Sequence, residues 1–160
     1  MHQSNSHILL FLLALLVLQA CGSQEICDED SQSWLAARFR TLDDGEIVDT
    51  TLSFVSIWGI RDGEAGALIY SGVQANRILL PLDPSSPESC FVFTDTLKTD
   101  TLCIGHEMEA YLISENCGFA GRYTIQEVQS GGSMIKDVEI IAESVDAEYE
   151  IDEENIWIYF

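Results

Sequence analysis

The chain has 160 residues, with 27 Asp+Glu against 7 Lys+Arg and a formal net charge of −20. A hydrophobic fraction of 47% excludes a disordered polyanion, because that much apolar surface can form a core. The length suits one ordinary domain, and the acidic balance excludes nucleic-acid binding through phosphate neutralisation.

The first segment reads as an address. Residues 8–18, ILLFLLALLVL, are eleven consecutive apolar residues. A bilayer-spanning helix needs about 20, so this run suits the apolar core of a secretory signal helix. Leu18-Gln19-Ala20-Cys21 follows at once. It has the form of a lipobox, the bacterial site where a cysteine receives diacylglycerol and becomes the mature N-terminus. Residues 1–7 hold His2 and His7 but no Lys or Arg, a departure from the usual lipoprotein start. The expectation is a signal peptide over 1–20 and lipid on Cys21. That lipid would hold the chain to a membrane of the bacterial envelope, most simply the outer membrane. Residues 21–33, with Asp28-Glu29-Asp30, read as a short acidic tether, and 34–160 as a single domain.

From residue 34 on the chain reads as strands. Leu35, Ala37 and Phe39 alternate with Ala36, Arg38 and Arg40, a period of two. Asp43-Asp44-Gly45 is a turn signal. Residues 50–60 are rich in β-branched and aromatic types, with Leu52, Phe54, Ser56 and Trp58 on one face, and Arg61-Asp62-Gly63 ends the run. Residues 67–70 and 78–82 are short apolar runs, and Pro81 marks the second as an edge strand or a strand end. A Pro/Ser loop covers 83–89. Strands follow at 91–94, 101–104 (running on toward Glu107) and 109–114. Gly118 and Gly121 flank a bend, 122–128 alternates, and Ser130-Gly131-Gly132 is a turn. Residues 134–142 read as a strand with Val138 and Ile140 on one face. Residues 156–160 read as a strand buried on both faces within the sheet. About seven to nine short strands with close turns, and no apolar helical period after residue 21, predict an all-β antiparallel sandwich, Ig-like or related.

Five cysteines are odd for a secreted chain. With Cys21 lipidated, Cys27, Cys90, Cys103 and Cys117 remain to close two disulfides in an oxidising compartment. Folding the 91–104 hairpin about its midpoint sets Cys90 opposite Cys103, at disulfide distance on an antiparallel pair. By elimination Cys27 pairs with Cys117.

The chemical motifs are weak. Ser133-Met134-Ile135-Lys136 matches Ser-x-x-Lys, with faint echoes of its companion motifs at Ser114-Glu115-Asn116 and Lys98-Thr99-Asp100. Their order is reversed, and a strand puts residues three apart on opposite faces. Cys103-x-x-His106 is half a zinc site, but Cys103 is better explained as a disulfide partner and His106 as one exposed or half-buried ring. The acidic stretch 143–154 holds seven Asp and Glu without a calcium-loop pattern, and reads as a solvated loop. The terminal Ile156-Trp157-Ile158-Tyr159-Phe160 has the look of an outer-membrane barrel end, but the strands are too short for one.

Several segments together carry a resemblance. They are Glu25-Ile26-Cys27 behind the lipobox, Ile78-Leu79-Leu80-Pro81-Leu82 before Phe91-Val92-Phe93, Cys117-Gly118-Phe119, residues 134–140, and the closing Ile-Trp-Ile-Tyr-Phe. In this order they resemble a family of small Bacteroidota lipoproteins known only as a domain of unknown function, over most of 21–160. The resemblance implies Cys21 as the lipid site and Cys27 with Cys117 as a recurring pair, with Cys90–Cys103 as an addition. It implies no catalytic residue, cofactor or substrate. The expected function is therefore a monomeric, non-catalytic envelope module that binds a protein or glycan partner. The alternatives are a carboxylate-dependent hydrolase and a calcium-dependent adhesion module.

Overall fold

The computed structural model describes residues 32–61, 63–95, 97–147 and 153–160. The expected signal peptide, Cys21, Cys27 and nearly all of the expected tether lie outside the described residues. Eleven strands follow one another: β1 (Trp34–Asp43), β2 (Glu46–Asp49), β3 (Leu52–Arg61), β4 (Glu64–Ala75), β5 (Arg77–Pro81), β6 (Glu88–Thr94), β7 (Thr99–Ser114), β8 (Gly118–Gly131), β9 (Asp137–Ile140), β10 (Ser144–Val145) and β11 (Ile156–Tyr159). There is no helix among the described residues.

The strands form two sheets packed as a sandwich. One runs β2-β1-β11-β9, with β5 on the first half of the same β1 edge that β2 occupies further on. The other runs β10-β8-β7-β6-β3-β4. Period-two alternation supplies the core. Leu35, Ala37 and Phe39 of β1 and Leu80 of β5 meet Ile57, Phe93, Leu102 and Ile104 from the facing sheet, all essentially inaccessible to solvent. The Phe39 ring stands edge-on to Phe93 at 6.5 Å and to Phe160 at 5.4 Å. In β3 the core face is Val55 and Ile57, whereas Ser56 and Trp58 take the half-buried face.

Strand β11 lies inside its sheet as expected, but it is fully buried on one face only, not on both. Ile156 and Ile158 are fully buried, and Trp157 and Tyr159 are half-buried on the outer face. Its pairing with β1 is parallel, so the sheet is not wholly antiparallel. Asn155 fixes the entry to β11. Its Oδ1 accepts from the Ala36 N–H at 2.9 Å, its Nδ2 donates to the Ser144 carbonyl at 2.8 Å, and its own N–H donates to the Ala36 carbonyl at 2.9 Å. On the outer face Arg40 lies 4.1 Å over the Trp157 ring and pairs with Asp49 at 3.1 Å, and Arg38 pairs with Asp49 and Glu154.

Three expectations need correction. The strands read separately at 101–107 and 109–114 are one 16-residue strand, β7, because a bulge between Gly105 and His106 absorbs the irregularity without ending it. Gly121 lies inside β8; the turn precedes Gly118, which takes φ +77°. The strand expected over 134–142 shrinks to β9, because residues 133–135 bond to a side chain instead of a neighbouring strand.

That side chain is Asp100, on the core face of β7 and 1% exposed. Its carboxylate accepts the backbone N–H groups of Ser133 at 2.8 Å, Met134 at 2.6 Å and Ile135 at 2.6 Å. Gly132, at φ +137°, is needed beside it, since a Cβ there would run into the carboxylate. Burial pushes the Asp100 carboxyl up, but the hydrogen bonds from Ile135, Ser133 and Met134 outweigh it and hold it below the ordinary carboxylate range. An Asp with a depressed folded value stabilises above its unfolded value near 3.8 and loses that contribution as pH falls. Asp100→Ala therefore costs on the order of 3 kcal/mol in urea unfolding at pH 7, and the deficit shrinks as pH is lowered below about 3.8.

Candidate functional site

An apolar concavity lies between the β3–β4 ribbon and the residues that follow β5. The ribbon carries four register shifts between Leu52 and Ile60. Each shift adds local twist. Gly59 and Gly66 let the two strands approach closely; a Cβ on Gly66 would sit 3.1 Å from the Gly59 carbonyl oxygen. The groove left against Pro81 and Leu82 has a volume of about 530 Å³ and is lined chiefly by apolar groups, including Ile60, Ile69 and Phe91.

Arg61 and Asp83 stand at its rim, joined at 3.0 Å. Asp83 also accepts from the Ser85 hydroxyl at 2.6 Å and the Ser85 N–H at 2.9 Å. These bonds, with Arg61, bring its pKa down to about 2. Asp83 is therefore an ionised carboxylate at any physiological pH. Its own backbone N–H donates to Ser89 Oγ at 2.8 Å, and Ser89 Oγ lies 2.8 Å from His106 Nε2. Both side chains are buried, Ser89 at 5% and His106 at 4% exposure.

His106 is thus a core residue, not the exposed or half-buried ring expected. Desolvation pushes its pKa below the ordinary imidazole value, only partly opposed by Asp83 and Glu88, so the ring is neutral at neutral pH. Its Nδ1 is buried without a hydrogen-bond partner, and the Tyr123 ring stands edge-on at 5.2 Å. Ser89 and His106 have the separation of a nucleophile and its base. However, the Ser89 hydroxyl is engaged by the Asp83 backbone, and no carboxylate orients Nδ1 among the described residues. As it stands, the pair fixes residues 82–84 to the sheet below them.

The pair was missed in the sequence, although a signal existed. With Cys90 opposite Cys103, Ser89 falls opposite Ile104. His106 is then its diagonal neighbour on the same face, close enough to meet it.

The other expected residues sort as follows. Cys90 and Cys103 face each other in register and are disulfide-bonded, with Cα atoms 4.1 Å apart. Cys117 is half-buried and disulfide-bonded; the expected partner, Cys27, lies outside the described residues, as does Cys21. Ser133 and Lys136 are both exposed and sit in the loop that wraps Asp100, neither on a helix nor on a strand. Ser114 Oγ accepts from the Cys117 N–H at 3.0 Å, a turn contact. Lys98 is an exposed turn residue. In the acidic stretch, residues 148–152 lie outside the described residues. Glu154 is not simply solvated, since it pairs with Arg38 and accepts from Trp157 Nε1 at 2.7 Å. Among the described residues the one cluster of three metal-ligating groups is Glu88 with Cys90 and Cys103, and those sulfurs are tied in the disulfide.

Residues 54–160 match a family of unknown function, DUF6452, and the chain belongs to it. The match spans Cys90, Cys103, Cys117, the groove and the Ser89–His106 pair, and stops short of Cys21 and Cys27. No curated protein and no solved structure matches the chain.

The buried imidazole has a measurable consequence. A His whose folded value is depressed stabilises above its unfolded value near 6.5, and the unfolded state takes up the extra proton below it. The melting temperature of the wild-type protein falls as pH drops below 6.5. His106→Leu removes that slope. A slope of equal size in the variant contradicts the assignment.

Proposed function

We propose that this chain is a lipid-anchored module of a bacterial cell envelope, held by lipid on Cys21, most simply at the outer membrane. There it binds a protein or glycan partner without transforming it. The apolar run at 8–18 and Leu18-Gln19-Ala20-Cys21 support the anchor. The disulfide-bonded state of Cys90, Cys103 and Cys117 supports an oxidising compartment. Membership in the family assigns no activity.

The observation that carries the binding reading is the groove itself, an apolar concavity whose wall is pinned by Arg61–Asp83 and Asp83–Ser89. Such pre-ordered walls lower the cost of association. The same bonds weigh against the hydrolase reading. Ser89 is engaged by backbone, and a carboxyl acting as proton donor needs a raised pKa, whereas that of Asp83 is about 2.

Three measurements test this. Cys21→Ala should move the protein from the membrane fraction to the soluble fraction; retention in the membrane contradicts the anchor. A photoreactive residue at Ala67, exposed on the groove wall, should yield a discrete adduct in cells that the same residue at Glu127 does not. Equal labelling at both sites argues against the groove as the binding surface. Ester or glycoside hydrolysis by the purified protein that Ser89→Ala abolishes argues for an enzyme.

A further inference from the structure

Beyond Gly105, β7 loses its β6 neighbour, and past Met108, where β10 no longer flanks β8, only β7 and β8 continue. The result is a two-stranded arm projecting past the sheet. Its inner face carries Met108, Ala110 and Leu112, with Leu112 directly opposite Phe119. Met108 is 37%, Leu112 53% and Phe119 69% exposed. A bare two-stranded ribbon with an apolar face is marginal in water and needs a cover.

Two fixed points show what lies along it. Gln32 and Ser33, the first described residues, line a groove of about 350 Å³ with Met108, Ala110 and Phe119. The Ser33 hydroxyl donates to the Gly121 carbonyl. At the arm's tip Cys117 is disulfide-bonded. Cys90 and Cys103 are bonded to each other, so the sequence leaves Cys21 or Cys27 as the intrachain partner of Cys117. Gly121 and Cys117 are about 13 Å apart along the strand, at roughly 3.3 Å per residue. A chain from Ser33 back to Cys27 reaches at most about 20 Å. With Cys27 as the partner, the reach exceeds the span by only about 7 Å, so the intervening residues stay beside the arm.

We propose that residues 26–32 dock along the inner face of the β7–β8 arm, held by Cys27–Cys117 and Ser33. Ile26, the one large aliphatic residue between Cys21 and Trp34, covers Phe119 and Leu112. The segment is then part of the domain and not a loose tether. If Cys21 carries lipid, the bilayer lies within about 20 Å of the arm's tip. Only that last consequence rests on the lipid anchor. The docking stands without it.

The test is amide hydrogen exchange with disulfide mapping on the mature chain, in detergent and in lipid nanodiscs, and on the soluble Cys21→Ala chain. Docking gives Cys27–Cys117 in the map and at least tenfold slowed exchange over residues 27–33 in all three samples. Ile26→Asp returns those amides toward free-chain rates and leaves β6 and the start of β7 unchanged. Free-chain exchange in the wild type, Cys117 linked to Cys21, or no response to Ile26→Asp overturns the proposal. Protection of the Phe119 peptide in nanodiscs alone makes the bilayer the occupant and overturns it too. The soluble chain separates this failure from failure of the anchor.

Discussion

The register of the β6–β7 hairpin is the constraint on which the rest of the molecule hangs. With Cys90 opposite Cys103, Ser89, Phe91 and Phe93 of one strand and Asp100, Leu102, Ile104 and His106 of the other are all buried. Strand side chains alternate with a period of two, so a slip of one residue would turn every one of these outward. The disulfide stands on the opposite face and forbids that slip. Three features follow. Asp100 lands where residues 133–135 need an acceptor. His106 comes within 2.8 Å of Ser89. Cys90 takes its place on the groove wall.

Residues 82–84 show how that register reaches the surface. They separate two apolar grooves, one against β3 and β4 and the other against β7 and β8, and Leu82 and Pro84 line both. Ser89 takes the Asp83 N–H from one side, and the Tyr123 hydroxyl reaches the Leu82 carbonyl at 3.4 Å from the other. Arg61 then closes on Asp83 from outside. A segment held from three directions makes both grooves pre-formed features, not products of a moving loop.

Much of this was legible in the sequence wherever one period and one turn sufficed. The Cys90–Cys103 pairing followed from the symmetry of a hairpin. The place of β11 inside its sheet followed from its apolar run, although only Ile156 and Ile158 are fully buried and the Trp157–Tyr159 face is half-buried. What was not legible depends on partners distant in sequence. Nothing local marks Asp100 as buried, because Lys98-Thr99-Asp100 has the composition of a turn. Its carboxylate answers residues more than thirty positions away. That contact also removes Met134 and Ile135 from the strand their apolar character suggested. The parallel pairing of β1 with β11 is equally non-local, fixed by the Asn155 side chain reaching Ala36. Strand β2 is short and largely exposed, and β10 has only two residues, so neither carries a clear alternation.

The charge distribution fits a module whose surface is meant to repel most neighbours. With seven cationic side chains in the whole sequence, their placement is informative. Arg38 and Arg40 neutralise Asp49 and Glu154 over the β1–β11 seam. Arg61 pairs with Asp83 at the groove, and Arg122 lies 3.9 Å from Asp146 and 4.8 Å over the Tyr111 ring of the arm. Four of the seven cations thus stand at the seam, at the groove rim and on the arm; Arg77 donates to the Glu153 carbonyl at 2.8 Å, and Lys98 and Lys136 are exposed on loops. An acidic exterior disfavours nonspecific contact with anionic lipid and with other acidic chains. Specific contact is then left to apolar concavities, where burying carbon surface supplies the attraction that charge withholds. Charge and carbon surface are thus divided in space, a repulsive exterior around pre-formed apolar grooves.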